Sequence, residues 1–260
     1  MGIVWSLLAL FASAGDLKIV GDLQASRPEA SVPAWAIAAW QEDGERLLSV
    51  LPGDPSVTLT VEAGLTEPGR LDIAASTEGS DISIRLSGDG WLNDTEKARR
   101  LLRQNLAHEI AHVPQLERFD SAFEPVFLHE GYAEARSLDL LIEAKLWTVA
   151  DARRALLGFE QRCLMALRRG PLWPQIQAED RDATYACGAV IVLAAASEAG
   201  MSVDDLHKDY AAAMVNPVGL GPWARSRLGR PYTRSIVRFL TTDHSRGATS
   251  AIEGLRAGRL

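Results

Sequence analysis

The order of polar and apolar positions divides the chain into an alternating first part and a helical second part. Val57–Glu62 (Val-Thr-Leu-Thr-Val-Glu) and Asp81–Leu86 (Asp-Ile-Ser-Ile-Arg-Leu) alternate with period two, and Leu71–Ala75 is a short apolar run between them. Such segments predict strands that bury one face. Gly53-Asp54-Pro55, Glu67-Pro68-Gly69 and Gly88-Asp89-Gly90 supply the turns. Ahead of them, Ser31–Val50 reads as a helix with Trp35, Ala39, Trp40, Leu47 and Leu48 available for its buried side.

Beyond Asn93 the period changes. Asn93 with Glu96 three residues on reads as a capping box, and Pro114 predicts the end of the helix it opens. Leu102, Leu106, Ile110 and Val113 form one apolar stripe of this helix, with His108 and His112 on the opposite side beside Leu101. A helix with such residues on both faces is internal, one side packed on the body and the other lining a cleft. A connection holding Phe119, Phe123 and Phe127 leads to a helix opening near Pro125, where proline is tolerated. Further helices are expected at about 148–169, 183–199, 202–214, 232–240 and 247–257. The expected fold class is therefore α+β, with a small N-terminal sheet in residues 15–92 and a mostly helical part, 93–260, in the same domain.

His108-Glu109-Ile110-Ala111-His112 carries the chemistry. Two histidines four apart on a helix present their imidazoles one turn apart on one face, within reach of a single Zn²⁺ ion. Glu130, in Phe127-Leu128-His129-Glu130-Gly131-Tyr132-Ala133-Glu134, can supply a third ligand from the next helix, leaving a fourth position for water. Glu109, beside the first histidine, is placed to take a proton from that water. His129 is a poor ligand beside Glu130, because adjacent helical residues point about 100° apart. His207 and His244 are isolated and read as surface or packing residues.

These residues resemble the gluzincin group of zinc metallopeptidases, in which a His-Glu-x-x-His helix is completed by a glutamate on the next helix. Leu128-His129-Glu130-Gly131-Tyr132-Ala133 is similar to the Asn-Glu-Gly-Phe-Ala segment of the aminopeptidase N family, with seventeen residues after His112 where eighteen are usual. Glu134 matches the carboxylate that orients the first histidine in the thermolysin family. Thr184-Tyr185-Ala186-Cys187-Gly188-Ala189 resembles the Tyr-x-Lys-Gly-Ala segment of the aminopeptidase N family, whose tyrosine stabilises the oxyanion; here Cys187 replaces the lysine. The Gly-x-Met-Glu-Asn strand that holds a substrate amino group in that family has no counterpart between Ser80 and Asn93, so aminopeptidase activity is not implied. The resemblance implies a zincin-like fold with the active site between its two parts, an edge strand that aligns substrate, and one Zn²⁺ held by His108, His112 and Glu130. It gives Glu109 and Tyr185 catalytic roles and Glu134 an orienting one, with a peptide or protein as substrate. The alternative is a non-catalytic metal-binding or interaction protein that keeps the fold, against which the intact Glu109 speaks.

Composition narrows the setting. At 260 residues and 47% hydrophobic, the chain can bury a full core. A net charge of −7 gives no case for nucleic acid, and the arginine-rich last forty residues read as a solvated face paired with the acidic remainder. Ile3–Ala14 is apolar and ends Ala12-Ser13-Ala14-Gly15, the pattern of a signal peptide over residues 1–14, although no basic residue precedes it. This run is too short to span a bilayer, and no integral membrane span is expected. Export to the periplasm or medium follows, with a cytoplasmic or N-terminally membrane-anchored protein as the alternative. Cys163 and Cys187 can pair in an oxidising compartment, and neither has the spacing of a zinc thiolate.

Overall fold

The computed structural model describes residues 17–21, 32–53, 55–64, 68–118, 124–215 and 220–258. The apolar run at 3–14, Phe119 and Phe123 lie outside the described residues. Strand β1 (Leu17–Gly21) leads to helix α1 (Ala34–Leu48) and strand β2 (Val57–Ala63). Strands β3 (Asp72–Glu78) and β4 (Asp81–Ser87) complete a four-stranded sheet of order β1-β2-β4-β3. The first three neighbours are parallel, and β3 runs antiparallel to β4 at the edge, with Ala75 opposite Ile84. The alternation in the sequence becomes burial: Val57, Leu59, Val61, Ile82, Ile84 and Leu86 all point into the core. The edge strand is tied down by Trp91, whose indole N–H donates to the Asp72 carbonyl at 2.8 Å.

Nine α-helices follow the last strand among the described residues, an α+β order. Helix α2 (Glu96–Arg118) and α3 (Val126–Glu143) pack together beneath the sheet. Behind them come α4 (Val149–Arg169), the short α5 (Leu172–Gln177), a π-helical turn at Asp182–Ala186 and α6 (Cys187–Ala199). Helices α7 (Val203–Val215), α8 (Leu220–Arg227), α9 (Gly229–Thr241) and α10 (Ala248–Arg256) close the far side. Helices α5 and α8, strand β1 and the π turn are not expected from the sequence pattern. Residues 182–199 are long and apolar enough to cross a bilayer, and two-thirds of that stretch is buried inside the fold.

Two signals in α2 are corrected. The cap is Thr95, not Asn93: the Ala98 N–H donates to the Thr95 hydroxyl at 3.1 Å, while Asn93 ends a 3₁₀ turn. Pro114 does not end the helix, which continues one turn to Arg118. Proline inside a helix costs about 3 kcal/mol through its missing N–H and its ring. Complete burial of Val113, Pro114 and Gln115 in the packed interior offsets it. Cys163 and Cys187 form a disulfide that joins α4 to the start of α6. In the basic C-terminal part, Arg227 pairs with Asp209 and Arg256 with Glu160.

Candidate metal centre

Helix α2 presents His108 and His112 on the face turned towards α3, and α3 returns Glu130 from its first turns. The His108 and His112 Nε2 atoms lie 3.1 Å apart, and the Glu130 Oε2 is 3.2 Å from the first and 3.5 Å from the second. Three ligand atoms thus converge on one point from two helices. Two imidazoles and one carboxylate form the donor set of a tetrahedral site that keeps one position open, so the residues present fit Zn²⁺.

The electrostatics favour a cation there. Burial opposes charge on His108, yet Glu130 against its ring, with Glu134 and Glu109 nearby, raises its pKa to about 9. Burial keeps His112 below the usual imidazole range. Burial also opposes the Glu130 carboxylate, but the two imidazoles hold its pKa far below the usual carboxylate range. A field that draws a proton onto His108 draws a divalent ion to the same point.

Backbone contact explains why glycine follows Glu130. A Cβ on Gly131 would lie 2.4 Å from the Gly188 carbonyl carbon, and one on Gly188 would lie 2.3 Å from the Phe127 carbonyl oxygen. Helices α3 and α6 therefore touch backbone to backbone beside the ligand. This approach brings the π turn, and Tyr185 on it, against the histidines. The Tyr185 ring stacks on His108 with centroids 5.8 Å apart. Burial and the Glu130 charge push its phenol well above the usual tyrosine range, so it keeps its proton as a donor.

Glu109, His108, Glu134 and Tyr185 share a cleft of about 60 Å³ with Ile73 and Ala75 of the edge strand. The Thr77 hydroxyl donates to the Glu109 Oε2 at 2.7 Å, so the edge strand itself holds this carboxylate. Glu134 Oε2 is 3.9 Å from the His108 Nδ1, an ion-pair distance beyond hydrogen-bond length. All six residues singled out in the sequence come together.

Four others were not legible there. Gln115 is fully buried, and its Oε1 lies 2.7 Å from the His112 Nδ1. Its amide nitrogen faces the Glu124 carboxylate at 2.9 Å and the His129 carbonyl at 3.2 Å, two groups that can only accept. The amide orientation is thereby fixed, the His112 Nδ1 must carry the proton, and its Nε2 lone pair is left for a metal. Glu124 is itself held between His129 at 3.1 Å and His207 at 3.3 Å. Burial opposes its charge, and these imidazoles still lower its pKa to about 2. Thr77 and Arg181 complete the surroundings. One signal could have found Gln115: it stands three residues after His112, on the same helical face.

His129 is not among the three converging residues; it stacks on His112 at 4.4 Å and faces Glu124. His207 is buried against Tyr132, and Tyr232 is buried beside Gly258, both away from the cleft. Comparison with protein-family models, curated proteins and solved structures finds no match.

Proposed function

We propose that the chain is a zinc-dependent peptidase of the gluzincin type, with a zincin-like fold, that hydrolyses peptide bonds in an extended substrate. The observation that carries this reading is the convergence of His108, His112 and Glu130, with Glu109 lining the same cleft as His108. A purely structural site has no use for such a base and closes its coordination with a fourth protein ligand.

When bound, a zinc ion acidifies water and polarises a carbonyl. Glu109, steadied by Thr77, takes the proton of the attacking water and returns it to the leaving amine. Tyr185, kept as a neutral phenol, donates to the developing oxyanion. Gln115 holds the His112 tautomer. The side of β3 that no strand among the described residues pairs offers backbone groups to a peptide running past the cleft, the geometry by which extended peptides add to a sheet edge. Export remains part of this proposal, and the disulfide is compatible with it.

The test is metal analysis of the purified protein combined with a peptide-library cleavage assay. One zinc per chain and cleavage by the wild type are expected, with zinc lost in His108→Ala or Glu130→Ala. Stoichiometric zinc in a His108→Ala, His112→Ala double variant would sink the site.

A further inference from the structure

We infer that the polar bay adjoining the cleft is a subsite for a substrate carboxylate, gripped by Arg181 and Arg162; the inference rests on the peptidase reading. The bay has a volume of about 390 Å³ and shares Ile73, Gln104, Glu134 and Arg181 with the cleft that His108 lines, so the two spaces adjoin along these side chains. Its wall includes the start of the edge strand, along which a peptide would lie. A substrate side chain or terminus one or two residues from the scissile bond reaches it, since a strand rises about 3.3 Å per residue.

The charge of the bay is unusual for this chain. Acidic residues outnumber basic ones, and many arginines are already paired, such as Arg103 with Asp43, Arg118 with Asp204 and Arg169 with Asp180. Arg181 has no carboxylate partner among the described residues; its guanidinium lies 5.5 Å over the Tyr185 ring. Arg162 stands 5.3 Å over the Phe159 ring and makes an ion pair with Glu134 at 3.6 Å, beyond hydrogen-bond length, so its N–H groups remain to donate to a ligand. Of the acidic residues of the bay, Asp72 is held by Arg70 at 2.6 Å, and Glu134 lies between Arg162 at 3.6 Å and His108 at 3.9 Å, hydrogen-bonded to neither. Two planar cations, each resting on an aromatic face and both lining the bay, suit a planar anion that accepts paired hydrogen bonds. A peptide offers that group as an acidic side chain or as its free C-terminus.

Three peptides of one sequence separate the sources: one with a glutamate at the favoured position, one with glutamine there, and one with glutamine and a free rather than amidated terminus. For zinc-loaded wild type, a carboxylate form should exceed the neutral one in kcat/KM by about ten- to hundredfold, the scale of hydrogen bonds to a charged group. In Arg181→Gln the ratio should collapse towards one, and Arg162→Gln should reduce it. A ratio is immune to a uniform loss of turnover. Equal rates for all three peptides, or a preference that survives both substitutions, would overturn the subsite. Fluorescence anisotropy with the same labelled peptides reads the subsite without turnover. Carboxylate-dependent binding lost in Arg181→Gln, with no cleavage, would uphold the subsite while sinking the peptidase reading; binding equal for all three would overturn the subsite.

Discussion

The two histidines of the centre are supported in opposite ways. His112 sits in a closed network in which Gln115, Glu124 and His129 hydrogen-bond one another in the packed interior, at distances of 2.7 to 3.2 Å. His108 faces the cleft, touched by the Tyr185 ring at 5.8 Å and by Glu134 only at 3.9 Å. One side of the site is scaffold and the other is reaction space. Changes on the cleft side should therefore alter turnover and leave metal and stability alone, while changes on the buried side should alter metal affinity or folding first.

The largest effect expected is on the cleft side. Glu109→Gln keeps the shape and the Thr77 contact but removes the base, which costs about 10²–10⁴ in rate. Zinc content should be unchanged. Wild-type turnover in this variant would end the mechanism. Tyr185→Phe comes next: loss of one oxyanion donor lowers kcat by roughly a hundredfold. Its KM, zinc content and Tm should stay near wild type because the ring still stacks on His108. A fall in Tm without a fall in kcat would assign Tyr185 to packing.

On the buried side, Gln115→Leu leaves the His112 Nδ1 unpaired in the interior. Zinc affinity, read by competition with a chelator, should drop about 10–100-fold. A variant that binds zinc like wild type would show that the tautomer is fixed by something else. Gly131→Ala tests the contact beneath both sides. An added methyl meets the Gly188 backbone, which cannot rotate away, so stability should fall by about 1–3 kcal/mol, with Tm the readout. An unchanged Tm would mean that α3 and α6 can part without cost.

The same division separates what the sequence revealed from what it hid. Residues tied by helical periodicity were legible: His108 and His112 four apart, Glu130 before Gly131, the alternating β2 and β4. The cleft residues also announced themselves, through motifs that chemistry constrains. Gln115 was hidden because Pro114 reads as a stop, and only tertiary burial carries the helix past it. Thr77 meets Glu109 across 32 positions of chain, a contact that no local pattern encodes. Glycines 131 and 188 were visible as letters of a motif, but that they touch each other depends on how two helices cross.

The smallest effect expected sharpens the comparison most. Glu134 stands where an orienting carboxylate for His108 belongs, yet its oxygens are divided between the His108 Nδ1 at 3.9 Å and Arg162 at 3.6 Å. Neither distance is a hydrogen bond, so Glu134 biases the ring by its charge alone. Glu134→Gln removes the charge and keeps the shape. Zinc affinity should fall by less than about tenfold, below the range for a residue hydrogen-bonded to a metal ligand and below the Gln115→Leu effect. Both variants belong in one chelator titration, so that the ratio of their effects is the measured quantity. If Glu134→Gln matches or exceeds Gln115→Leu, the carboxylate closes onto His108 when the metal binds, and both histidines are scaffolded alike.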